Sequence, residues 1–318
     1  MNKQILFILL IINFLACKKA AFELPIEVLN SGVSNDLKAV LIQDETQVSA
    51  VGGEQWTFGL RINTKDDGKT WQTLNAEKQQ LNAIVADPNG TQYMIGSRGL
   101  LLRRTLTIDT TGACMYPLWY IMNALTFRNA EAFTVGGAAY QDGRIVKYIY
   151  KGYWNREGEN IDFPQELRDI TYVNDTTLVA CGYGLVVRST DTGKTWKTLP
   201  IQDDFFLSLH FPSATVGYMV GYHGSILKSS DAGATWTLLR DGDKLTVSDE
   251  PFRRVFFRNE NLGYIVGDAG LFWRTDDGAE TWKRIETNQQ SNFLDIKVTN
   301  KGRGYIVGST GFVAKFQD

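Results

Sequence analysis

Cysteine and histidine are scarce in this chain. Three cysteines and two histidines among 318 residues supply no disulfide framework, and without a C-x-x-C pair they supply no metal cage. With only His210 and His223, histidine acid–base chemistry has little material. Positive charge is not in excess either: 33 Lys and Arg stand against 35 Asp and Glu, a formal net charge of −2. Such a balance gives no reason to expect a nucleic-acid partner, which demands a strongly basic face. No G-x-S-x-G, H-E-x-x-H, Walker or dinucleotide fingerprint occurs. Beyond the first segment no helix-period stretch exceeds about ten residues. Glycine, by contrast, is plentiful at 30 residues and aromatics reach 12%, a composition suited to many short strands joined by tight turns. With 43% hydrophobic and 21% charged residues the chain is globular rather than disordered.

The first segment reads as a targeting signal. Lys3 supplies the positive start, and Ile5 to Leu15 form an apolar stretch broken only by Asn13. That stretch is too short for a permanent membrane-spanning helix. It ends in Phe14-Leu15-Ala16-Cys17, where a small residue directly before a cysteine resembles a bacterial lipobox. The resemblance implies cleavage after residue 16 and acylation of Cys17, with 17–21 as a lipidated tether. Phe14 and Leu15 depart from the commonest lipobox pattern, a Leu followed by a small residue. The alternative is an ordinary secretory peptide in which Cys17 is incidental. Lys18 and Lys19 lack the Asp that favours inner-membrane retention in some Gram-negative bacteria, which points toward the periplasmic side of the outer membrane. Of the remaining cysteines, Cys114 and Cys181 are expected as buried thiols in non-adjacent repeat units, a bridge between them being the alternative.

The rest of the chain is a repeat. A short apolar run ending in glycine recurs at Gly52, Gly96, Gly136, Gly182, Gly221, Gly267 and Gly308, at intervals of 39 to 46 residues. A period near 40 to 45 with strand-like content indicates four-stranded propeller blades. One unit shows the grammar: an inner strand over 252–257, a second over 263–267, a third over 271–275 and a fourth from Trp282 to Ile285, with turns between them. The last unit, 292–317, holds only three strands. Residues 22–29, preceding the first inner strand at Leu37 to Ile42, can supply its fourth and so close the ring. The expected fold is an all-β, seven-bladed propeller over 22–318, closed by its N-terminal strand, without exposed sheet edges at the seam.

Between third and fourth strands lies a sharper signature: T-K-D-D-G-K-T-W at 64–71, S-T-D-T-G-K-T-W at 189–196, S-S-D-A-G-A-T-W at 229–236 and T-D-D-G-A-E-T-W at 275–282. These resemble the Asp-box, or bacterial-neuraminidase repeat. The reading is structural. Asp66, Asp191, Asp231 and Asp277 can accept backbone N–H groups across the turn. Gly68, Gly193 and Gly233 permit backbone angles that other residues resist, and Ala279 departs from that pattern. Trp71, Trp196, Trp236 and Trp282 are expected to pack between blades. Decayed copies remain at Thr107 to Gly112 and Lys151 to Trp154. The G-Y-x-V-G second strand with its short turn to a second Gly, at Gly217 to Gly224, Gly263 to Gly270 and Gly304 to Gly311, carries a resemblance to the photosystem II assembly-factor family of seven-bladed propellers. That resemblance spans the mature chain. It implies a partner protein bound during assembly of a membrane complex, and no catalysis.

Sialidases share Asp-boxes, so a glycosidase is the competing reading. The R-I-P motif of those enzymes is absent, Arg61-Ile62-Asn63 being the nearest string. Asp203-Asp204 is the one acidic pair suited to a glycanase cleft, and adjacent loop carboxylates are more often solvated surface. His210, on an inner strand, is expected as a hydrogen-bonded core residue. In a four-strand meander the 1–2 and 3–4 turns share one face, and the 2–3 and 4–1 turns the other. The boxes occupy the first. The opposite rim carries Arg98, Tyr183, Tyr222, His223 and Asp268, with Ser97, Ser309 and Thr310 and the long connections 105–121, 155–166 and 240–251. Arg and Tyr are favoured interface anchors. The expectation is a binding face for a protein or peptide, with no catalytic residue, no metal and no cofactor. A glycan held by Trp119 and Tyr120 is the alternative ligand, and the membrane is reached through the lipid alone.

Overall fold

The computed structural model describes residues 23–104, 120–151, 154–201, 204–244 and 250–318. The signal segment, Cys17, Cys114, Trp119, Asp203 and the box remnant at Thr107 to Gly112 lie outside the described residues.

Seven antiparallel sheets form the seven blades of a propeller. The inner strands are Leu37–Ile42, Leu81–Ala86, Ile121–Arg128, Leu167–Tyr172, Phe206–His210, Phe252–Phe257 and Phe293–Val298. Each packs against the next, and the last returns to the first, so the ring is closed. Blades 1, 4, 5 and 6 are simple four-strand meanders. In blade 3 two short segments, Trp154–Arg156 and Ile161–Gln165, share the outer edge of the long strand Gln141–Tyr150. Blade 2 has three strands among the described residues. Blade 7 takes its outer strand from the N-terminus: Glu27, Val28 and Leu29 pair with Lys315, Ala314 and Val313. The pairing covers Glu27–Leu29 rather than all of 22–29. Pro25, which has no N–H to donate to a ladder, precedes it, while Leu24 is buried in the cluster between blades 6 and 7.

Among the described residues the core is seven clusters, one at each blade interface, rather than one central mass. Between blades 5 and 6, for example, Tyr218, Val220 and Ile226 meet Phe252, Val255 and Ile265. Strands buried on both faces explain why the second strands read as unbroken apolar runs such as Gly217–Gly221 and Gly263–Gly267.

Two devices place the channel-facing residues. Each inner strand carries a β-bulge near its start, in six blades at the second position: the ladder passes from Leu37 to Ala39, Leu81 to Ala83, Leu167 to Asp169, Phe206 to Ser208, Phe252 to Arg254 and Phe293 to Asp295. In blade 3 the skipped residue is Asn123. A bulge leaves one residue unpaired and re-aims its side chain. The repeat glycine then faces the chain entering the bulge. A Cβ on Gly52, Gly96 or Gly182 would lie 1.9, 1.9 or 2.0 Å from the carbonyl oxygen of Asp36, Gln80 or Glu166. The recurring glycine is therefore a requirement for close backbone approach.

Inner strands also expose one unpaired backbone edge to the channel, and side chains of the preceding blade satisfy it. Asp169 Oδ2 accepts Leu209 N at 3.0 Å, Ser208 Oγ accepts Val255 N at 3.2 Å, and Asp295 Oδ2 accepts Val40 N at 2.9 Å. His210 Nδ1 accepts Phe257 N at 3.2 Å, with its ring against Phe256. Burial, with Lys297 and Arg254 nearby, lowers its pKa to about 3. Cys181 is a buried free thiol between blades 4 and 5.

Candidate binding face and channel mouth

The four box turns repeat one hydrogen-bond pattern. In blade 1, Thr64 Oγ1 donates to Asp66 Oδ1 at 2.7 Å and accepts Gly68 N at 2.9 Å. Thr70 gives Asp66 both its N–H, at 2.9 Å, and its hydroxyl, at 2.6 Å. Ser189, Asp191, Gly193 and Thr195 repeat it in blade 4, and Ser229, Asp231, Gly233 and Thr235 in blade 5. In blade 6, Thr275, Asp277, Ala279 and Thr281 do the same. The threonine hydroxyls first, then the threonine N–H groups, hold Asp66, Asp191 and Asp277 at pKa values of about 2. For Asp231 burial pushes upward, and the bonds from Thr235 outweigh it.

Each box uses two successive left-handed residues: Asp67 and Gly68, Thr192 and Gly193, Ala232 and Gly233, Gly278 and Ala279. Blade 6 keeps one glycine but moves it forward by one place. Trp196, Trp236 and Trp282 stand edge-on to Phe133, Phe211 and Phe257, and Trp71 packs in the cluster joining blades 7 and 1. All eight residues thus lie in turns and blade contacts, on the face away from the 2–3 turns.

On that opposite face, Tyr183, Tyr222, His223 and Asp268 come together, and Arg98 does not. A run of rings passes from Tyr140 of blade 3 to Tyr183 of blade 4, to Phe205, to His223 and to Tyr222 of blade 5, with centroid separations of 4.7, 5.0, 5.3 and 5.9 Å. The backbone holds it in place: Tyr183 and Phe205 form a β-bridge, and Tyr222 N donates to Phe205 O at 2.9 Å. Arg253 continues the arc into blade 6. Its guanidinium lies 5.0 Å from the Tyr222 ring and grips Asp268 through two bonds of 2.8 and 2.7 Å. Arg168 stands 5.9 Å from the Tyr183 ring. Arg98 is separate, exposed on blade 2 and 6.0 Å from the ring of Trp56. Tyr140 and Phe205 are 65% and 43% exposed, and Trp56 is 37% exposed.

Tyr140, Phe205, Trp56, Arg168 and Arg253 were not among the residues expected from sequence. Tyr140 and Trp56 occupy the 2–3 turns of blades 3 and 1, so the rule that located Tyr183 applies to them too. Both have positive φ, 69° and 71°. A bulky side chain there is held outward on a turn rather than in a sheet.

Asp204 is placed by the backbone. Its carboxylate accepts Phe205 N at 2.6 Å, His223 N at 3.0 Å and Ser225 N at 3.0 Å, and it is buried. It caps the turn that carries Tyr222 and His223, and it fills the place that a Cβ on Gly221 would need. A carboxylate engaged in this way is not positioned for acid catalysis in a cleft. His223 Nδ1 lies 2.9 Å from Asp243 Oδ1 and 3.9 Å from Asp204. Tyr120 is not a free stacking platform: the Arg144 guanidinium sits 4.1 Å from its ring centroid. Among the described residues no cluster of His, Cys, Asp and Glu could hold a metal ion.

Inside the arc, the bulged second residues of the inner strands surround the channel mouth. A cavity of about 220 Å³ is lined by Lys38, Asn82, Asn123, Arg168, Leu207, Arg253 and Leu294, together with Gln55, Gln80, Ile121 and Arg254. Arg254 crosses the channel to Asp169 at 2.9 Å and contacts Asp295 at 3.0 Å.

Comparison with known proteins agrees with this architecture. The sequence profile of the family described as photosynthesis system II assembly factor YCF48 matches residues 197–291 and 252–317. No curated protein matches the chain in sequence. YCF48 from Cyanidioschyzon merolae superposes with a TM-score of 0.69 at 15% identity, covering 92% of this chain and 98% of that one. The WD40 propeller domain of Doa1 gives 0.72 at 13% identity, covering 93% and 97%. A chain of the mitotic checkpoint complex gives 0.74 at 10% identity, covering 100% and 99%. In fold, and in the sequence of its last three blades, the chain is a propeller like the photosystem II assembly factors.

Proposed function

We propose that this propeller, resembling the photosystem II assembly factors in its last three blades, is a non-catalytic scaffold that binds a protein or peptide. The observation that carries the reading is the aromatic arc from Tyr140 to Tyr222, with Arg168 and Arg253 along its inner side. Tyr and Arg on a rigid frame give large contact area at little cost in side-chain entropy, the composition of interface hot spots. Four blades contribute, so the arc is as rigid as the ring itself. Capture of partners from envelope extracts tests this. Replacing Tyr140, Phe205 and Tyr222 by alanine should reduce recovery of a defined partner at least tenfold while the chain stays folded. Undiminished recovery would place the binding surface elsewhere.

The chain is further proposed to be exported and lipidated on Cys17, facing the periplasm from the outer membrane and serving assembly or stability of an envelope complex. The run Phe14-Leu15-Ala16-Cys17 supports this. Metabolic labelling with palmitate, lost on Cys17→Ser, is the expected result, and label retained in that variant contradicts it.

A glycan ligand is the second reading, favoured by the exposure of Tyr140 beside Tyr183, since a flat ring can stack on a sugar. Binding on a glycan array that disappears with Tyr140→Ala would favour it over a protein partner. Turnover of sialosides or β-glucans would instead establish a glycosidase.

A further inference from the structure

The channel mouth has an arrangement that the aromatic arc does not explain. Four cationic side chains line it, Lys38, Arg168, Arg253 and Arg254, together with the carboxamides of Gln55, Gln80, Asn82 and Asn123. No carboxylate is among the described residues that line it. The acids that balance these cations lie outside that lining. Asp36 meets Lys38 at 2.9 Å, Glu166 meets Arg168 at 2.9 Å, Asp268 holds Arg253 and Asp169 holds Arg254. Lys38 and Arg168 each give one hydrogen bond, against the three and five N–H groups they carry. Glu166 is itself fixed, taking Asn123 Nδ2 at 2.8 Å and Tyr140 N at 3.0 Å, so Arg168 is anchored at one end and has donors to spare. Apolar side chains interrupt this ring of donors: Leu207 stands between Arg168 and Arg253, Leu294 between Arg253 and Lys38, and Ile121 lies on the strand of Asn123.

We propose that this mouth is a carboxylate-binding site, in which Lys38, Arg168 and Arg253 take the charge and Leu207 and Leu294, on either side of Arg253, take a short aliphatic chain. Planar guanidinium donors match a carboxylate, and the two leucines suit methylene groups that inorganic phosphate lacks. The carboxylate comes either from a free aliphatic dicarboxylate or from a Glu side chain of a peptide lying on the arc. Only the second source rests on the function proposed above.

Calorimetric titration of the exported chain with glutarate, inorganic phosphate and a glutamate-containing hexapeptide tests the site. Glutarate, the peptide or both should bind, and phosphate should bind at least tenfold more weakly. Arg168→Gln should weaken binding about tenfold, the loss of one charge-assisted contact. Leu294→Glu places a carboxylate in the mouth without removing a hydrogen bond, and it should abolish binding while the thermal midpoint holds or rises. Binding of glutarate alone supports a small-molecule site, and binding of the peptide alone supports a partner's side chain. Failure of both ligands, equal binding of phosphate, or undiminished binding by folded Leu294→Glu would overturn the proposal. Glutarate binding that survives alanine substitution at Tyr140, Phe205 and Tyr222, with partner capture also unchanged, would leave this site standing while the arc reading fails.

Discussion

Tyr305 Oη donates to Asp67 Oδ1 at 2.7 Å, tying the second strand of the last blade to the box turn of the first. Lys315 Nζ reaches the same carboxylate at 3.1 Å, and Arg303 pairs with it as well. The contact belongs to a pattern. Tyr218 Oη donates to Glu260 O at 2.6 Å, at the blade 5–6 boundary, and Phe133 packs on Gly193 of the next box. Where the ring runs out of boxes, Tyr264 turns instead to Asp318, the last residue. The tyrosine of each G-Y-x-V-G strand is thus a bolt through the interface, fastened to the box residue Asp67 at the seam, to Glu260 O between blades 5 and 6, and to Asp318 between blades 6 and 7.

Tyr305→Phe keeps the ring packed and removes only the bolt. A hydrogen bond to a charged acceptor contributes about 1.5 kcal/mol or more, and Asp67 keeps Arg303 and Lys315. Urea denaturation should show a loss of about 1–2 kcal/mol with an unchanged slope.

Closure by the N-terminal strand carries more. A chain beginning at residue 31 loses the pairs from Glu27 to Leu29 and the burial of Leu24. The edge Val313–Gln317 is then bare, and such edges promote association. Such a chain should unfold at markedly lower urea and form oligomers in light scattering. A monomer of undiminished stability would show that the seam does not need this strand.

Glycine and alanine at equivalent box positions should respond unequally to exchange. A Cβ on Gly193 would lie 2.4 Å from Phe133 Cε1 at φ +76°, so Gly193→Ala should cost about 3 kcal/mol. Ala279 already carries its methyl group at φ 72°. Ala279→Gly relieves about 1 kcal/mol of left-handed strain and forfeits about 0.8 kcal/mol of methyl burial, so its stability should hardly change. The two variants compared by chemical denaturation check the account.

Acid should act in two windows. His210 has a folded pKa of about 3 against an ordinary 6.5, so the unfolded chain binds the proton first. Stability falls as pH drops from about 6.5 toward 3. His210→Asn keeps an acceptor for Phe257 N and should flatten that part of the profile. Asp66, Asp191 and Asp277, near 2 when folded, stabilise above their unfolded value of about 3.9. That contribution disappears as pH falls through about 4 to 2. Thr195→Val should move the Asp191 carboxyl upward in an NMR titration.

Much of this molecule was legible in its sequence, and the rest was hidden for definite reasons. The seven glycines and the four boxes mark blades because each is demanded locally: a carbonyl at about 2 Å in one case (for Gly221, the Asp204 carboxylate), two left-handed residues in the other. The rim was legible because turn position in a meander follows from strand count. The arc was not, since Tyr140, Tyr183 and Phe205 lie far apart along the chain and meet only when neighbouring blades pack. The cationic mouth was hidden differently. A bulge adds one residue to an inner strand without altering the repeat period, so nothing in the spacing shows that Lys38, Arg168 and Arg253 share a ring. Asp204 looked like half of an acidic pair because its three backbone donors come from sites up to 21 residues away.

The most direct test of the account is photo-crosslinking in intact cells, with a photoreactive residue at Tyr140 in one strain and at Thr235, on the box face, in another. The account predicts one discrete crosslinked protein from position 140 and none from position 235. Equal crosslinking from both faces, or from the box face alone, would contradict it.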